Sequence, residues 1–143
     1  MNLESEKVKI KDFEYRSPKK TKGKTTNNKK VKAKKRRSDR SAFIGRKGEK
    51  IVFDFEKEKL RKINLNNLSE KVRWHAELNE KPGYDITSFD DNGDEIFIEV
   101  KSSSGKTIND VDLTKNEIMS MFDKKTKEKF YIYLVTNALT KPE

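Results

Sequence analysis

Alternating residues on either side of an Asn-Gly pair constrain the fold more than any other part of this sequence. Residues 84–89 (YDITSF) and 95–101 (EIFIEVK) alternate between the two faces that a β-strand presents. Asn92 and Gly93, in the segment that joins them, are typical of a two-residue type I′ turn. The sequence therefore predicts an antiparallel β-hairpin.

The second strand of this hairpin carries charge on one face only. The period of two places Phe97, Glu99 and Lys101 on one face. The opposite face consists of three aliphatic residues, Ile96, Ile98 and Val100. Hairpin pairing can bring Asp85 of the first strand within reach of Glu99, although the sequence leaves the register open. We therefore expect two carboxylates beside a lysine, above an aliphatic core.

The other predicted elements complete a mixed α/β order of helix, strand, hairpin, helix and strand (α-β-β-β-α-β). Apolar residues at three- and four-residue spacing predict an amphipathic helix over about residues 41–61. A capping box at residues 114–117 predicts a second helix that ends near residue 123. Strands are predicted at residues 71–75 and at residues 130–136 (FYIYLVT), the latter as a buried central strand.

Positive charge is concentrated in the first 40 residues. Because 16 of the 34 Lys and Arg residues but only five of the 24 acidic ones lie there, residues 1–40 carry a net charge of +11 and residues 41–143 carry −1. Residues 17–40 have almost no apolar side chains, which predicts a disordered tail before a folded domain, and residues 8–15 alternate as in an isolated strand. A basic cluster in the tail is expected to bind nucleic-acid phosphates: Lys29, Lys30, Lys32, Lys34, Lys35, Arg36 and Arg37. A solubilising tail or a nuclear-import signal is the alternative interpretation.

The composition excludes several kinds of site. The chain has no cysteine, which rules out disulfides and thiolate metal sites, and its single histidine does not suffice for an ordinary zinc site. Oxygen-ligated Mg²⁺ or Mn²⁺ remains compatible with the composition. No apolar run approaches membrane-spanning length, and residues 1–11 lack the apolar core of a signal peptide. We therefore expect a cytoplasmic protein that does not enter a membrane.

Converging carboxylates suggest metal-dependent phosphodiester hydrolysis. Two carboxylates at one end of a sheet repel each other unless a cation lies between them. Asp85 and Glu99 would hold Mg²⁺ or Mn²⁺, and Glu49 on the first helix would supply a third carboxylate. Lys101 would orient or help to deprotonate a water and neutralise developing charge. The alternative is that Glu99 and Lys101 merely charge a strand edge, which prevents association of sheets.

Five motifs in this chain carry a resemblance to a known family. They are GRKGE (residues 45–49), GYDI (83–86), IEVKS (98–102), LTKNE (113–117) and FYIYLV (130–135). In this order the motifs resemble the NO VEIN C-terminal domain family, and the similarity covers about residues 43–138. That family is assigned to the PD-(D/E)xK superfamily, whose members include restriction endonucleases and Holliday-junction resolvases. The resemblance implies a restriction-endonuclease-like core with a mixed central sheet flanked by helices.

The resemblance also implies roles for single residues. Glu49 corresponds to the acid of the first helix, Asp85 to the metal-binding aspartate, and Glu99 with Lys101 to the ExK pair. Tyr84 stands where proline names the superfamily motif, and no target-recognition domain is evident. The implied function is a metal-dependent DNA endonuclease in defence, restriction, repair or mobile-element biology, acting as a homodimer or in a larger complex. A catalytically silent DNA-binding or assembly module and an RNA-directed nuclease are the alternatives.

Residues near this constellation have two interpretations each. Ser102 and Ser103 follow the lysine and would donate hydrogen bonds to phosphate, or they simply form a loop. Glu117 would cap the second helix or contact the outer shell of a metal. His75 is interpreted as a structural or surface residue, with a general base as the alternative, and Trp74 as a core residue rather than a platform for base stacking.

Overall fold

The fold is a four-stranded mixed sheet with a long helix packed against one face. The computed structural model describes residues 28–123 and 129–140, apart from the side chains of residues 28–34. Its elements are α1 (Asn28–Lys62), α2 (Asn66–Ser69), β1 (Arg73–Trp74), a 3₁₀ helix (His75–Leu78), β2 (Ile86–Phe89), β3 (Glu95–Ser102), α3 (Lys115–Phe122) and β4 (Phe130–Val135). The predicted α-β-β-β-α-β order is confirmed, with a short second helix and a 3₁₀ turn added.

The sheet has the order β1-β2-β3-β4. β1 and β2 pair antiparallel, as do β2 and β3, whereas β3 and β4 pair parallel. β3 is therefore bonded to a strand on each side, and its six-residue ladder with β4 runs from the pair Phe97 and Phe130 to the pair Ser102 and Val135. A strand held on both sides is a rigid support for side chains on its free face.

The hydrophobic core lies between α1 and one face of the sheet. The aliphatic face predicted for β3 is buried there, together with Val52 and Leu60 of α1 and Ile86 of β2. Gly48 allows the closest approach, since a Cβ at this position would lie 1.7 Å from Ser102 Oγ and 3.7 Å from Val100 Cγ1. The small residue therefore sets the distance between the helix and the strand that carries Glu99.

A buried carboxylate crosses the same interface. Glu56 of α1 is fully buried and accepts hydrogen bonds from Ser88 Oγ (2.6 Å) and Tyr133 Oη (2.9 Å). Lys59 Nζ lies 2.5 Å from the same carboxylate. Because both carboxylate oxygens have donors, the charge is tolerated in the core, and it ties α1 to β2 and β4.

The hairpin is confirmed, but its turn differs from the predicted type. Gly93 N donates to Asp90 O (3.0 Å), Asp90 N donates to Asp94 O (2.9 Å), and Gly93 alone carries the positive φ of the turn (85°). This is a type I turn followed by a glycine bulge, not a type I′ turn. Asp90 explains the difference, because its side chain accepts from the backbone N–H of Asn92 and of Asp94, both at 2.9 Å.

The first helix begins 13 residues earlier than the domain boundary predicted at residue 41. The prediction of disorder is thereby corrected for residues 28–40. These residues contain no glycine or proline and are rich in Lys and Arg, which have high helix propensity. Residues 35–43 are all exposed, so this part of α1 is a basic helical arm that gains nothing from core burial. We call residues 28–43 the arm.

Two strand predictions are also corrected. β4 lies at an edge of the described sheet and is only partly buried, whereas β3, like β2, has a neighbouring strand on each side. β2 begins at Ile86, and the alternation fails before it, because Tyr84 packs on Phe97 (ring centroids 5.0 Å apart) and Phe130 (6.5 Å). Tyr84 therefore shares the sheet face of Phe97.

Some predictions fall outside the described residues. These are the isolated strand at residues 8–15 and the disorder predicted for residues 17–27. Within the described part of the chain, no helix has the length and apolarity needed to cross a membrane.

Candidate active site

The register of the hairpin places Asp85 opposite Glu99. Ile86 pairs with Ile98, and Asp85 is the next residue outward. Its backbone N–H donates to Ile98 O (2.9 Å), and its carboxylate Oδ2 accepts from Val100 N (2.8 Å). The side chain thus takes the place of a backbone acceptor in the ladder. The sheet therefore fixes Asp85. The sequence left the register of the hairpin open, and the observed register is the one that places Asp85 next to Glu99.

Glu99 and Lys101 leave β3 on the face away from α1. Glu99 is only 4% exposed, and its Oε1 lies 2.8 Å from Lys101 Nζ. Their opposite face is the apolar core beneath α1. The structure therefore brings Asp85, Glu99 and Lys101 together as the sequence predicts.

Burial and mutual repulsion make this acidic pair a weak acid. Burial is the main cause that raises the pKa of Asp85 to about 6, and the charge of Glu49 adds to it against the opposing hydrogen bond from Val100. Burial, followed by the charge of Asp85, raises the pKa of Glu99 to about 8 in spite of Lys101. In the absence of a cation the pair therefore retains a proton into the neutral pH range.

Lys101 is held between two carboxylates. Burial lowers its pKa, but the hydrogen bonds and charges of Glu99 and Glu117 outweigh this and raise the pKa above its usual value. Nζ lies 3.1 Å from Glu117 Oε2. Lys101 is therefore a permanent positive charge, which suits stabilisation of an anion better than removal of a proton from water.

Glu117 joins the site from the capping box of α3. Its Oε2 accepts from the backbone N–H of Thr114 (2.7 Å), and its own N–H donates to Thr114 Oγ1 (3.3 Å), which confirms the predicted box. Burial favours a higher pKa of Glu117, but the Thr114 amide and Lys101 hold it below its usual value. The capping role and the contact with Lys101 are made by the same carboxylate, so the two interpretations of Glu117 do not exclude each other.

Glu49 lies beside this cluster rather than within it. Its Oε2 accepts a hydrogen bond of 2.6 Å from the indole Nε1 of Trp74. Its charge is nevertheless close enough to raise the pKa of Asp85. Trp74, interpreted from the sequence as a core residue, is half-buried and contacts the candidate site through this bond.

The donor set fits a hard divalent cation in its chemistry. Asp85 and Glu99 present carboxylate oxygens whose repulsion a cation would relieve. Within residues 28–123 and 129–140, no three Asp, Glu or His side chains are arranged around a common ion position. Of the three predicted metal ligands, Asp85 and Glu99 lie together, whereas Glu49 is bonded to Trp74 and does not join them around one position.

The family model for Protein NO VEIN, C-terminal, matches residues 48–143, about two thirds of the sequence. The chain belongs to this family. No curated protein and no solved structure matches the chain. The NO VEIN C-terminal match begins at Gly48, the residue that packs on β3, and includes Glu49, Asp85, Glu99 and Lys101. The candidate site therefore lies wholly within the NO VEIN C-terminal domain, and the arm precedes it.

Of the two serines after Lys101, Ser102 faces away from the acidic pair and Ser103 lies in a loop. Ser102 Oγ is buried against Gly48 and has no hydrogen-bond partner among the described residues, so it is closed to a phosphate. Ser103 Oγ accepts from Gly105 N (3.0 Å), and Ser103 N donates to Val135 O (2.8 Å), as in a loop that leaves a strand. The structure does not bring Ser102 to the site, because the residue follows Lys101 by one and points to the other face.

Three of the seven predicted basic residues have described side chains, and they lie on the arm. Lys35, Arg36 and Arg37 are exposed on the arm. The side chains of Lys29, Lys30, Lys32 and Lys34 are outside the described structure.

His75 has a structural role, as interpreted from the sequence. It is buried, its ring nitrogens contact Glu80 Oε2 (2.5 Å) and Thr87 Oγ1 (2.8 Å), and Tyr84 packs edge-on against it. Its backbone N–H donates to Asp85 O (3.0 Å). His75 therefore supports the backbone at Asp85 and is not exposed as a general base.

Proposed function

We propose that this NO VEIN C-terminal domain is a PD-(D/E)xK nuclease that hydrolyses DNA phosphodiester bonds with Mg²⁺ or Mn²⁺. The observation that carries the proposal is the acidic pair of half-buried Asp85 and buried Glu99, with Lys101 at 2.8 Å from Glu99. An acidic pair withdrawn from water destabilises a small domain, and such perturbed groups concentrate at functional sites. The order of elements and the position of the ExK pair on the central strand also support a restriction-endonuclease-like core.

Each residue has a distinct chemical task in this proposal. Hydrolysis forms a bond between a water oxygen and phosphorus and breaks a P–O ester bond, and negative charge accumulates on the phosphoryl oxygens between these events. Lys101, which stays protonated, stabilises that charge. Asp85 and Glu99 would hold the divalent cation, which supplies Lewis-acid chemistry and lowers the pKa of water. Glu117 keeps Lys101 in place from the side of α3.

The arm supplies the grip on nucleic acid in this proposal. Residues 41–143 carry a net charge of −1, so the domain gives little attraction to a polyanion. Lys35, Arg36, Arg37 and Arg40 are exposed on a helix that continues directly into the α1 segment bearing Glu49. Binding through phosphates gives affinity that falls steeply with salt and depends little on sequence. Catalysis and binding would thus be separable by mutation.

A cleavage panel with matched variants tests the activity. Purified protein is incubated with duplex, branched and single-stranded DNA and with RNA, in Mg²⁺, in Mn²⁺ and in EDTA. We expect metal-dependent cleavage of DNA, reduced about a hundredfold or more in Asp85→Ala and in Lys101→Ala. Both variants should still bind DNA, because the arm is unchanged. Asp91→Ala and Lys106→Ala, at exposed positions, are the controls. Equal cleavage by all four variants would refute the assignment, and preference for RNA would correct its substrate.

A catalytically silent module that binds DNA or assembles with a partner is the second candidate. It is favoured by the absence of a three-carboxylate arrangement in the described residues and by the ion pair of Glu99 with Lys101, which occupies one candidate ligand. Thermal unfolding separates the two candidates. A cation at a hundred times its Kd stabilises a protein by about 2.7 kcal/mol. Mn²⁺-dependent stabilisation that Asp85→Asn abolishes supports the nuclease, and equal Tm values with and without Mn²⁺ support the silent module.

A further inference from the structure

We infer that Trp74 is a positioning residue that aims the Glu49 carboxylate at the cation site, an inference that rests on the proposed function. The indole Nε1 donates to Glu49 Oε2 at 2.6 Å, a short bond to a charged acceptor. Trp74 is the only tryptophan in the chain. Its indole has one donor, and that donor is directed at a carboxylate next to the acidic pair.

The indole ring is itself held by its surroundings. The Arg46 guanidinium lies 5.1 Å from the ring centroid, and the Phe53 ring is 5.9 Å away. Arg46 is in turn fixed by Glu77, whose Oε1 accepts from Arg46 NH2 at 2.7 Å. Packed and ion-paired neighbours leave the ring little freedom to rotate. The direction of the N–H bond is therefore a property of the fold.

Trp74 and Asp85 belong to one rigid ladder. Trp74 of β1 pairs with Ile86 of β2, the residue after Asp85, and the N–H of His75 donates to Asp85 O at 3.0 Å. The bond from Trp74 to Glu49 is thus a direct polar link between α1 and the strand pair that carries Asp85. A hydrogen bond to a ligand from outside the coordination sphere commonly orients that ligand in metal sites.

Only one oxygen of Glu49 is used by this bond. Among the residues that the structure describes, none donates a hydrogen bond to Oε1. Through Trp74, which lies opposite Ile86, Glu49 is linked to the residue that follows Asp85. Oε2 is therefore the anchored oxygen, and Oε1 would contact the cation through a bound water, since Glu49 lies beside the acidic pair rather than within it. Without the N–H, the side chain of Glu49 would sample other rotamers and lose this alignment.

Mn²⁺ affinity measured by calorimetry on the full chain tests the positioning role. Trp74→Phe keeps an aromatic ring against Arg46 and Phe53 but removes the N–H. We expect about a tenfold loss of Mn²⁺ affinity in Trp74→Phe. In the Glu49→Ala background the same change should have no further effect, because Trp74 acts only through Glu49. Asp91→Ala, at an exposed position away from the indole, is the control and should retain wild-type affinity.

A second measurement does not need a metal. The single indole N–H gives one signal in a ¹H–¹⁵N NMR spectrum, and loss of a charged acceptor in Glu49→Ala should move it upfield. An unchanged signal, a Trp74→Phe variant with wild-type Mn²⁺ affinity, or an equal loss in both backgrounds would overturn the inference. Absence of Mn²⁺ binding in the wild-type protein would instead overturn the proposed function, and the NMR signal would still report whether Trp74 and Glu49 are bonded.

Discussion

Asp85→Asn should stabilise the metal-free protein above pH 6. The pKa of Asp85 is raised from 3.8 to about 6, mainly by burial. Between these values the folded state keeps a proton that the unfolded state has released, so the free energy of unfolding falls as pH rises through this window. Above pH 6 the ionised carboxylate costs the folded state about 2 to 3 kcal/mol, at 1.36 kcal/mol for each unit of pKa. Asparagine cannot ionise, and its amide oxygen can still accept from Val100 N.

The same substitution also relieves Glu99. The charge of Asp85 is the second largest cause of the raised pKa of Glu99, after burial. Removing that charge lowers the cost of ionising Glu99 between pH 4.5 and about pH 8, which changes stability in the same direction. For about 100 folded residues, 2 kcal/mol corresponds to a Tm shift of about 10 °C.

Urea unfolding in EDTA from pH 4 to pH 8 measures this effect as the difference between variant and wild type. We expect the difference to be smallest at pH 4 and to grow in favour of Asp85→Asn up to about pH 8, through ionisation of Asp85 first and of Glu99 above pH 6. Asp91→Asn, in the exposed turn, is the control and should show no such growth. A difference that is the same at pH 4 and pH 8, or one that favours wild type as pH rises, would refute the electrostatic account of the site.

Two further predictions concern the packing beneath the site. Gly48→Ala should lower the free energy of unfolding by about 1 to 3 kcal/mol, because the new Cβ would overlap Ser102. Ser102→Ala removes a buried hydroxyl that has no partner among the described residues, so it should leave the stability unchanged or increase it. A Gly48→Ala variant as stable as the wild type would contradict the close approach of α1 and β3. Tyr133→Phe should cost about 1 to 3 kcal/mol, because it leaves the buried Glu56 Oε1 without its donor. Urea unfolding measures these changes, and exposed Tyr131→Phe, expected to be neutral, is the control for the tyrosine.

Local patterns in the sequence predict the central part of this fold because local physics decides it. Alternation in β3, the acidic and glycine-containing turn, and the capping box of α3 each depend on residues a few positions apart. Prediction from local patterns fails for the arm. A low apolar content says that residues 28–40 cannot bury surface, but it does not say that an uninterrupted run of helix formers lacks helical structure.

The contacts of the site were less accessible to prediction than its members. Strand periodicity places Glu99 and Lys101 on one face, but the register that puts Asp85 opposite Glu99 depends on a turn with a glycine bulge. The bond from Trp74 to Glu49 joins residues 25 positions apart on different elements, and no local pattern encodes it. The only signal in the sequence is the tryptophan itself, because a partly buried indole N–H needs a hydrogen-bond acceptor.

β3 explains how a small domain can tolerate a destabilising acidic pair. Its aliphatic face is buried under α1, and it is hydrogen-bonded to β2 and β4 along its length. The burial and pairing of β3 therefore oppose the repulsion between Asp85 and Glu99. Glu99 is part of β3, and Asp85 is hydrogen-bonded to Ile98 and Val100 on either side of it. Because hydrogen bonds hold the backbone on both sides, the two carboxylates cannot move apart. Only protonation or a bound cation can therefore relieve their repulsion.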